Sequence, residues 1–229
     1  APLDFEGVSV GPSISRTDEH ALIYVMVEYP AQIVEIEIPS GEIQRTFNLE
    51  LVEGKKKQGI EALTFIPETN STGYFYAGSQ YNGMIYVYYF DFFNSVQDSL
   101  ALFSLYDPNP GRVDISGLCW DHYNELLWVL YDDGSNVYTY YPREPLSNAP
   151  TSHQNWAKEH HYKVPGKHQE GITIAGDSGE FLVLAQDRNE KDQQLKRYDL
   201  NLQYYPATHD DEDYWDMYYY NQDEQTPPL

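Results

Sequence analysis

The chain has 229 residues, enough for one sizeable core and few for two independent ones. With 14 Lys and Arg against 36 Asp and Glu, its net charge of −22 repels phosphate backbones and anionic lipid heads, which argues against nucleic-acid and membrane-surface partners. Aromatics make up 15% of the chain, with 22 Tyr, too much apolar area for a disordered acidic chain, and the single Cys119 permits neither an internal disulfide nor a cysteine zinc site.

The chain opens Ala1-Pro2-Leu3 without an initiator Met, so removal of a leader is expected. Together with the glycosylation sequon Asn70-Ser71-Thr72, this points to a secreted protein, extracellular or periplasmic. The longest uninterrupted apolar stretch, Ala21 to Val27, is far below the ~20 residues of a membrane-spanning helix, and no membrane insertion is expected.

From its first residues the sequence repeats. Phe5-Glu6-Gly7-Val8-Ser9-Val10 returns as Ile60-Glu61-Ala62-Leu63-Thr64-Phe65, then as Ile115-Ser116-Gly117-Leu118-Cys119-Trp120, then as Gln169-Glu170-Gly171-Ile172-Thr173-Ile174. The second residues of these segments are 55, 55 and 54 positions apart, so four units fill the chain. Within a unit, apolar and polar residues alternate with period two between turn residues, the signature of strands and hairpins. The second unit reads as a strand over Ile60–Ile66, a turn over Pro67–Gly73 and a strand over Tyr74–Gly78. Asn82-Gly83 then turns the chain into Met84–Tyr89, and a last strand lies within Ser99–Leu105. The third unit shows Leu126–Leu130, Asp133-Gly134 and Asn136–Tyr140 in the same sequence, and Asn-Gly and Asp-Gly suit tight hairpin turns. Gly176-Asp177-Ser178-Gly179, which looks like a protease nucleophile segment, reads as the hairpin turn between Gly171–Ala175 and Glu180–Ala185.

Four antiparallel strands per unit of ~55 residues describe the blade of a β-propeller. The expected fold is all-β, one four-bladed propeller domain over residues 1–229, with blades near 1–55, 56–110, 111–165 and 166–229. A β-sandwich with chance similarity at four places is the plainer alternative. Because few residues precede Glu6, the outer strand of the last blade is expected from Tyr214 to Tyr220, and Asp210-Asp211-Glu212-Asp213 is expected as a charged surface loop.

First strands of propeller blades line the central channel, so Glu6, Glu61, Ser116 and Glu170 are expected to form one ring. Two residues earlier stand Asp4, Gly59, Asp114 and His168. Two carboxylates ~5 Å apart repel by about 3 kcal/mol at an effective dielectric of ~20, so such a ring needs a neutralising partner. A divalent cation, calcium or another, held by Asp4, Glu6, Glu61, Asp114, Ser116, His168 and Glu170 is one solution. Ion pairs with Lys55, Lys56, Lys57, Arg112 and Lys167, all just ahead of first strands, are a second, and side chains turned away from the channel a third. A further set, Glu28, Gln80, Asp132 and Asp187, follows the second strands and reads either as a ligand set at the channel mouth or as turn-stabilising side chains. His153, His160 and His161, crowded near His168, read as a solvated loop.

Asp4-Phe5-Glu6-Gly7-Val8 and His168-Gln169-Glu170-Gly171-Ile172, with Phe181-Leu182-Val183-Leu184-Ala185-Gln186-Asp187, resemble the SdiA-regulated family of secreted or periplasmic β-propellers. The resemblance implies a propeller with calcium in the channel and no settled activity, and Ser116 stands where the motif has Glu. Two function classes follow. One is a non-enzymatic module, with no catalytic residues, that binds a protein, a glycan or its own copies. The other is a metal-dependent hydrolase of lactones or phosphoesters in which the cation activates water, with His168 as the available base.

Overall fold

The computed structural model describes residues 4–12, 21–49, 59–94, 96–103, 105, 114–132, 136–143, 154, 156–164, 168–186 and 194–200. The segment Tyr214 to Tyr220, the acidic run from Asp210 to Asp213, the basic residues Lys55, Lys56, Lys57, Arg112 and Lys167, and His153 and Asp187 lie outside them.

Every strand pairs antiparallel with its sequence neighbour, as short connections between amphipathic strands dictate, and the described strands build four sheets. Sheet 1 contains β1 (Phe5–Val10), β2 (Ala21–Val27), β3 (Gln32–Ile38) and β4 (Ile43–Asn48). Sheet 2 contains β5 (Ile60–Pro67), β6 (Thr72–Ser79), β7 (Ile85–Asp91) and β8 (Val96–Phe103). Sheet 3 contains β9 (Ile115–Asp121), β10 (Leu126–Tyr131), β11 (Asn136–Pro142) and β12 (Trp156–Lys163). Sheet 4 contains β13 (Gln169–Ala175), β14 (Phe181–Gln186) and β15 (Gln194–Asp199). His160 and His161 therefore belong to an outer strand and not to a loop: Thr139 and Tyr138 of β11 pair with them, and the charged sequence of β12 suits a sheet edge. The turn after β13 places Gly176 and Gly179 at positive φ, as a tight hairpin needs.

The sheets succeed one another through their first strands, with β1 against β5, β5 against β9 and β9 against β13. This meander of stacked sheets is propeller-like. Three seams fill with apolar side chains. Tyr24, Met26 and Ile33 of sheet 1 meet Leu63, Phe75, Tyr88 and Phe90 of sheet 2. Tyr76, Ile85 and Val87 meet Leu118, Trp120 and Val129 of sheet 3. Trp128, Leu130 and Val137 meet Leu182, Leu184 and Tyr198 of sheet 4. Polar ties fix the seams: the Thr64 hydroxyl accepts the Trp120 N–H at 2.8 Å, and the Tyr140 hydroxyl donates to the Leu105 carbonyl at 2.9 Å. Within sheet 1, buried Glu35 accepts from Arg45 and from the Tyr24 hydroxyl, which compensates a carboxylate facing the first seam.

Among the described residues β13 does not run along β1 as the other first strands run along one another. The outward face of sheet 1 is largely apolar: cross-strand pairing puts Val8 beside Val25, Val10 beside Ile23, Val34 beside Val25 and Ile43 beside Ile36, with Gln32, Thr46 and Asn48 at one side. Its centre, Val25, Val27 and Val34, is buried, whereas Phe5, Val8, Val10 and Ile43 along the margins are exposed.

Candidate functional site

The four positions expected to form the ring share one local device. Ile60 pairs with Ser79 and Ala62 with Gly78, which leaves Glu61 as an extra residue without a strand partner. Ser116 is skipped in the same way between Ile115 and Gly117, and Glu170 between Gln169 and Gly171. In β1, Glu6 and Gly7 stand together where the pairing passes from Phe5 and Val27 to Val8 and Val25. Each first strand thus carries a β-bulge at its ring position. A bulge breaks the in-out alternation and re-aims a side chain, which lets a strand deliver its flanking residues to the seams and its bulged residue to the channel.

Electrostatics shows which bulged residues look onto one space. Burial pushes the Glu6 carboxyl up to about 7, helped by the charges of Asp4, Glu28 and Glu170. Burial pushes Glu61 up to about 8, with Glu6, Glu170, Glu28 and Asp114 adding to it. Carboxylates from all four sheets therefore bear on one another, and the groups raising both residues are acidic. Ser116, 2% exposed, has no hydrogen-bond partner for its hydroxyl among the described residues, and Asp114 is buried beside it in the chain.

Two of the residues following the second strands, Glu28 and Asp132, clasp neighbouring sheets. Glu28 is buried; its N–H donates to the Asp4 carbonyl at 3.1 Å, while its Oε1 accepts the Gly59 N–H of sheet 2 at 2.9 Å. Gln80 repeats the first contact, donating its N–H to the Gly59 carbonyl at 3.0 Å. Asp132 Oδ1 accepts the Gln169 N–H of sheet 4 at 3.2 Å. Side-chain recognition across a seam of this kind has no local sequence signal, because its partner lies one repeat away.

Two sets of ligand-type atoms converge to within 4.8 Å: Asp4, Glu6 and Glu28 in one, and Asp132, His168 and Glu170 in the other. His160 and His161 join neither; the His161 ring stacks on Tyr138, 4.3 Å between centroids. Cys119 is no candidate nucleophile, since burial holds its thiol up at about 11. Asn70 is exposed in the turn between β5 and β6, and the sequon hydroxyl of Thr72 contacts Thr69 and Glu68.

No family model and no curated protein matches the chain. Among solved structures it is similar to the glutaminyl cyclase of Myxococcus xanthus, with a TM-score of 0.53 and 11% identity over 86% of this chain and 66% of that one. It is also similar to a chain of the COPII outer coat vertex on membranes, with a TM-score of 0.50 and 13% identity over 90% of this chain and 46% of that one. The chain thus spans about two thirds of the first and under half of the second. These likenesses establish a propeller-like β fold, and no helix among the described residues is long and apolar enough to cross a membrane.

Proposed function

We propose that the chain is a secreted interaction module, a four-bladed propeller whose acidic channel takes a divalent cation of the calcium class and whose exposed apolar margin on sheet 1 binds protein. The observation that carries the interaction reading is the outward face of sheet 1, where Val8 is 60% and Val10 53% exposed beside an apolar sheet centre. The centre of that face, Val25, Val27 and Val34, is buried within the chain, and the apolar margin that stays exposed beside it is a protein-binding surface. The coat-vertex neighbour is part of a membrane coat, an assembled structure, which fits such a role. Another copy of the chain is the simplest partner, because the exposed margin of sheet 1 is apolar and would be covered by its like. The cation reading draws on the bulged carboxylates and on Ser116, which offers oxygen ligands of the kind calcium takes.

Sedimentation velocity in chelated and calcium-containing buffer tests both parts. At low salt the charge of −22 keeps copies apart, and at high salt association is expected. Val8→Asp with Ile43→Asp is expected to abolish it. A chain that stays monomeric at high salt and turns over lactones or phosphoesters with calcium overturns the module in favour of the hydrolase. Calcium that leaves thermal stability unchanged removes the channel cation.

A further inference from the structure

We propose that Asp132, His168 and Glu170 form a separate site for a transition metal of the zinc class, at the seam between sheets 3 and 4. The three side chains come from two sheets and offer one imidazole nitrogen and two carboxylate oxygens, all within 4.8 Å of one another. Ligand atoms around a tetrahedral ion at about 2.1 Å stand roughly 3.4 Å apart, so side-chain rotation of about 1 Å closes the set. Its chemistry separates it from the set at Asp4, Glu6 and Glu28, which is oxygen throughout. Calcium and magnesium take oxygen ligands, whereas an imidazole suits zinc, copper, iron or nickel.

The surroundings build the site. Asp132 is half-buried and its Oδ1 is already held by the Gln169 N–H at 3.2 Å, which orients the carboxylate and leaves the second oxygen for an ion. Glu170 reaches the site because it is the bulged residue of β13. His168 lies at φ 57, in the left-handed region just before β13, and its ring nitrogen stands within reach of both carboxylates. His168 and Glu170 are exposed, which gives an ion a way in. Three protein ligands leave a tetrahedral ion one position for water, the arrangement of an exchangeable or reactive metal. The site shares Glu170 with the ring of bulged residues and takes neither Glu61 nor Asp4, so a substitution at Glu61 probes the channel cation apart from the imidazole-containing set.

The test strips the purified full chain with a chelator and titrates it with Co2+, following visible absorption and heat. One equivalent per chain is expected, and an equal concentration of Ca2+ is expected not to displace it. His168→Asn removes the imidazole while keeping a residue that tolerates positive φ, and Asp132→Asn keeps an oxygen for the Gln169 N–H. Each is expected to weaken Co2+ binding by at least roughly tenfold with unchanged thermal stability of the metal-free protein. Glu61→Gln, which weakens only the channel cation, is expected to leave Co2+ binding intact. Full Co2+ binding in His168→Asn overturns the proposal by placing the metal on another histidine. Displacement of Co2+ by equimolar Ca2+ overturns it by placing the ion among oxygens alone.

Discussion

Gly7 and Gly171 hold the same place in the repeat and meet different neighbours. A Cβ on Gly7 would lie 2.5 Å from the Leu63 backbone nitrogen of sheet 2, and one on Gly117 would lie 2.8 Å from Ile172 of sheet 4. Among the described residues, a Cβ on Gly171 would meet only Ala185 of its own sheet, at an ordinary 3.5 Å. The motif glycine is therefore a seam device: it removes a side chain so that the next first strand can approach. At Gly171 no strand of another sheet approaches in this way among the described residues. Three mated seams and one exposed apolar margin teach that the chain's apolar composition is matched to a further contact, and this is the physical basis of the interaction reading.

The largest effects are expected where a seam is mated. Phe75, fully buried between sheets 1 and 2, packs against Tyr24, Phe65, Phe90 and Phe92 with ring centroids 4.9 to 6.2 Å apart. Phe75→Ala is expected to cost about 3 to 5 kcal/mol in urea unfolding. Phe181, on the outward face of sheet 4 beneath the Arg197 guanidinium at 3.4 Å, is the counterpart. Phe181→Ala is expected to cost about 1 kcal/mol, from partial burial and one cation–π contact. Equal losses at the two positions would mean that the outward face of sheet 4 is covered as fully as the seams.

Arg45→Met sharpens the same contrast at the margin of the first seam. It strands the buried Glu35 carboxylate, whose partners are Arg45 and Tyr24, and is expected to cost about 2 to 3 kcal/mol. That is below the range for a fully buried pair because a third of the Arg45 side chain meets solvent. Glu35→Leu with Arg45→Met, which removes both charges, is expected to recover much of the loss, and a double variant no better than the single would show that packing of the arginine stem, not charge, is at work.

The glycines themselves come next. Gly7→Ala drives a methyl into backbone and is expected to cost about 1 to 3 kcal/mol. Gly171→Ala is expected to stay within about 0.5 kcal/mol in the isolated chain. If Gly171→Ala is as damaging as Gly7→Ala at low protein concentration, the fourth sheet is mated within the chain and the contrast fails.

Much of this arrangement was legible in the sequence, because repetition at 55, 55 and 54 residues and period-two alternation report covalent spacing and strand geometry directly. Ile60–Ile66 and Asn136–Tyr140 read as strands and fall within β5 and β11. The bulges were not legible: an extra residue in a strand leaves the local pattern Ile-Glu-Ala unremarkable, and only the partner's register exposes it. His160 and His161 read as loop because charge and imidazole lower strand propensity, and pairing with β11 overrode that preference. The clasps at Glu28 and Asp132 were hidden for a different reason, since each acts on backbone in the next repeat.

A modest, pH-dependent effect is expected at the bulged carboxylates, and its sign follows from their raised pKa values. Glu61 sits at about 8 and Glu6 at about 7 in the fold, above the ordinary 4.5 that the unfolded chain keeps. The folded state therefore binds protons that the unfolded state has released, so these groups favour folding fully below pH 4.5 and lose that contribution as pH rises toward 8. In chelated buffer the melting temperature is expected to fall between pH 5 and pH 9, with Glu61 contributing on the order of 1 kcal/mol after solvent screening. Glu61→Gln is expected to match the parent at pH 5 and to exceed it at pH 9, because a neutral amide carries no charge to repel Glu6, Glu28, Glu170 and Asp114. Calcium at pH 8 is expected to restore the parent and to help the variant less. Parallel pH curves for the two proteins would show that the bulged carboxylates do not share one space, and the seams would then surround a channel without the acidic centre described for it.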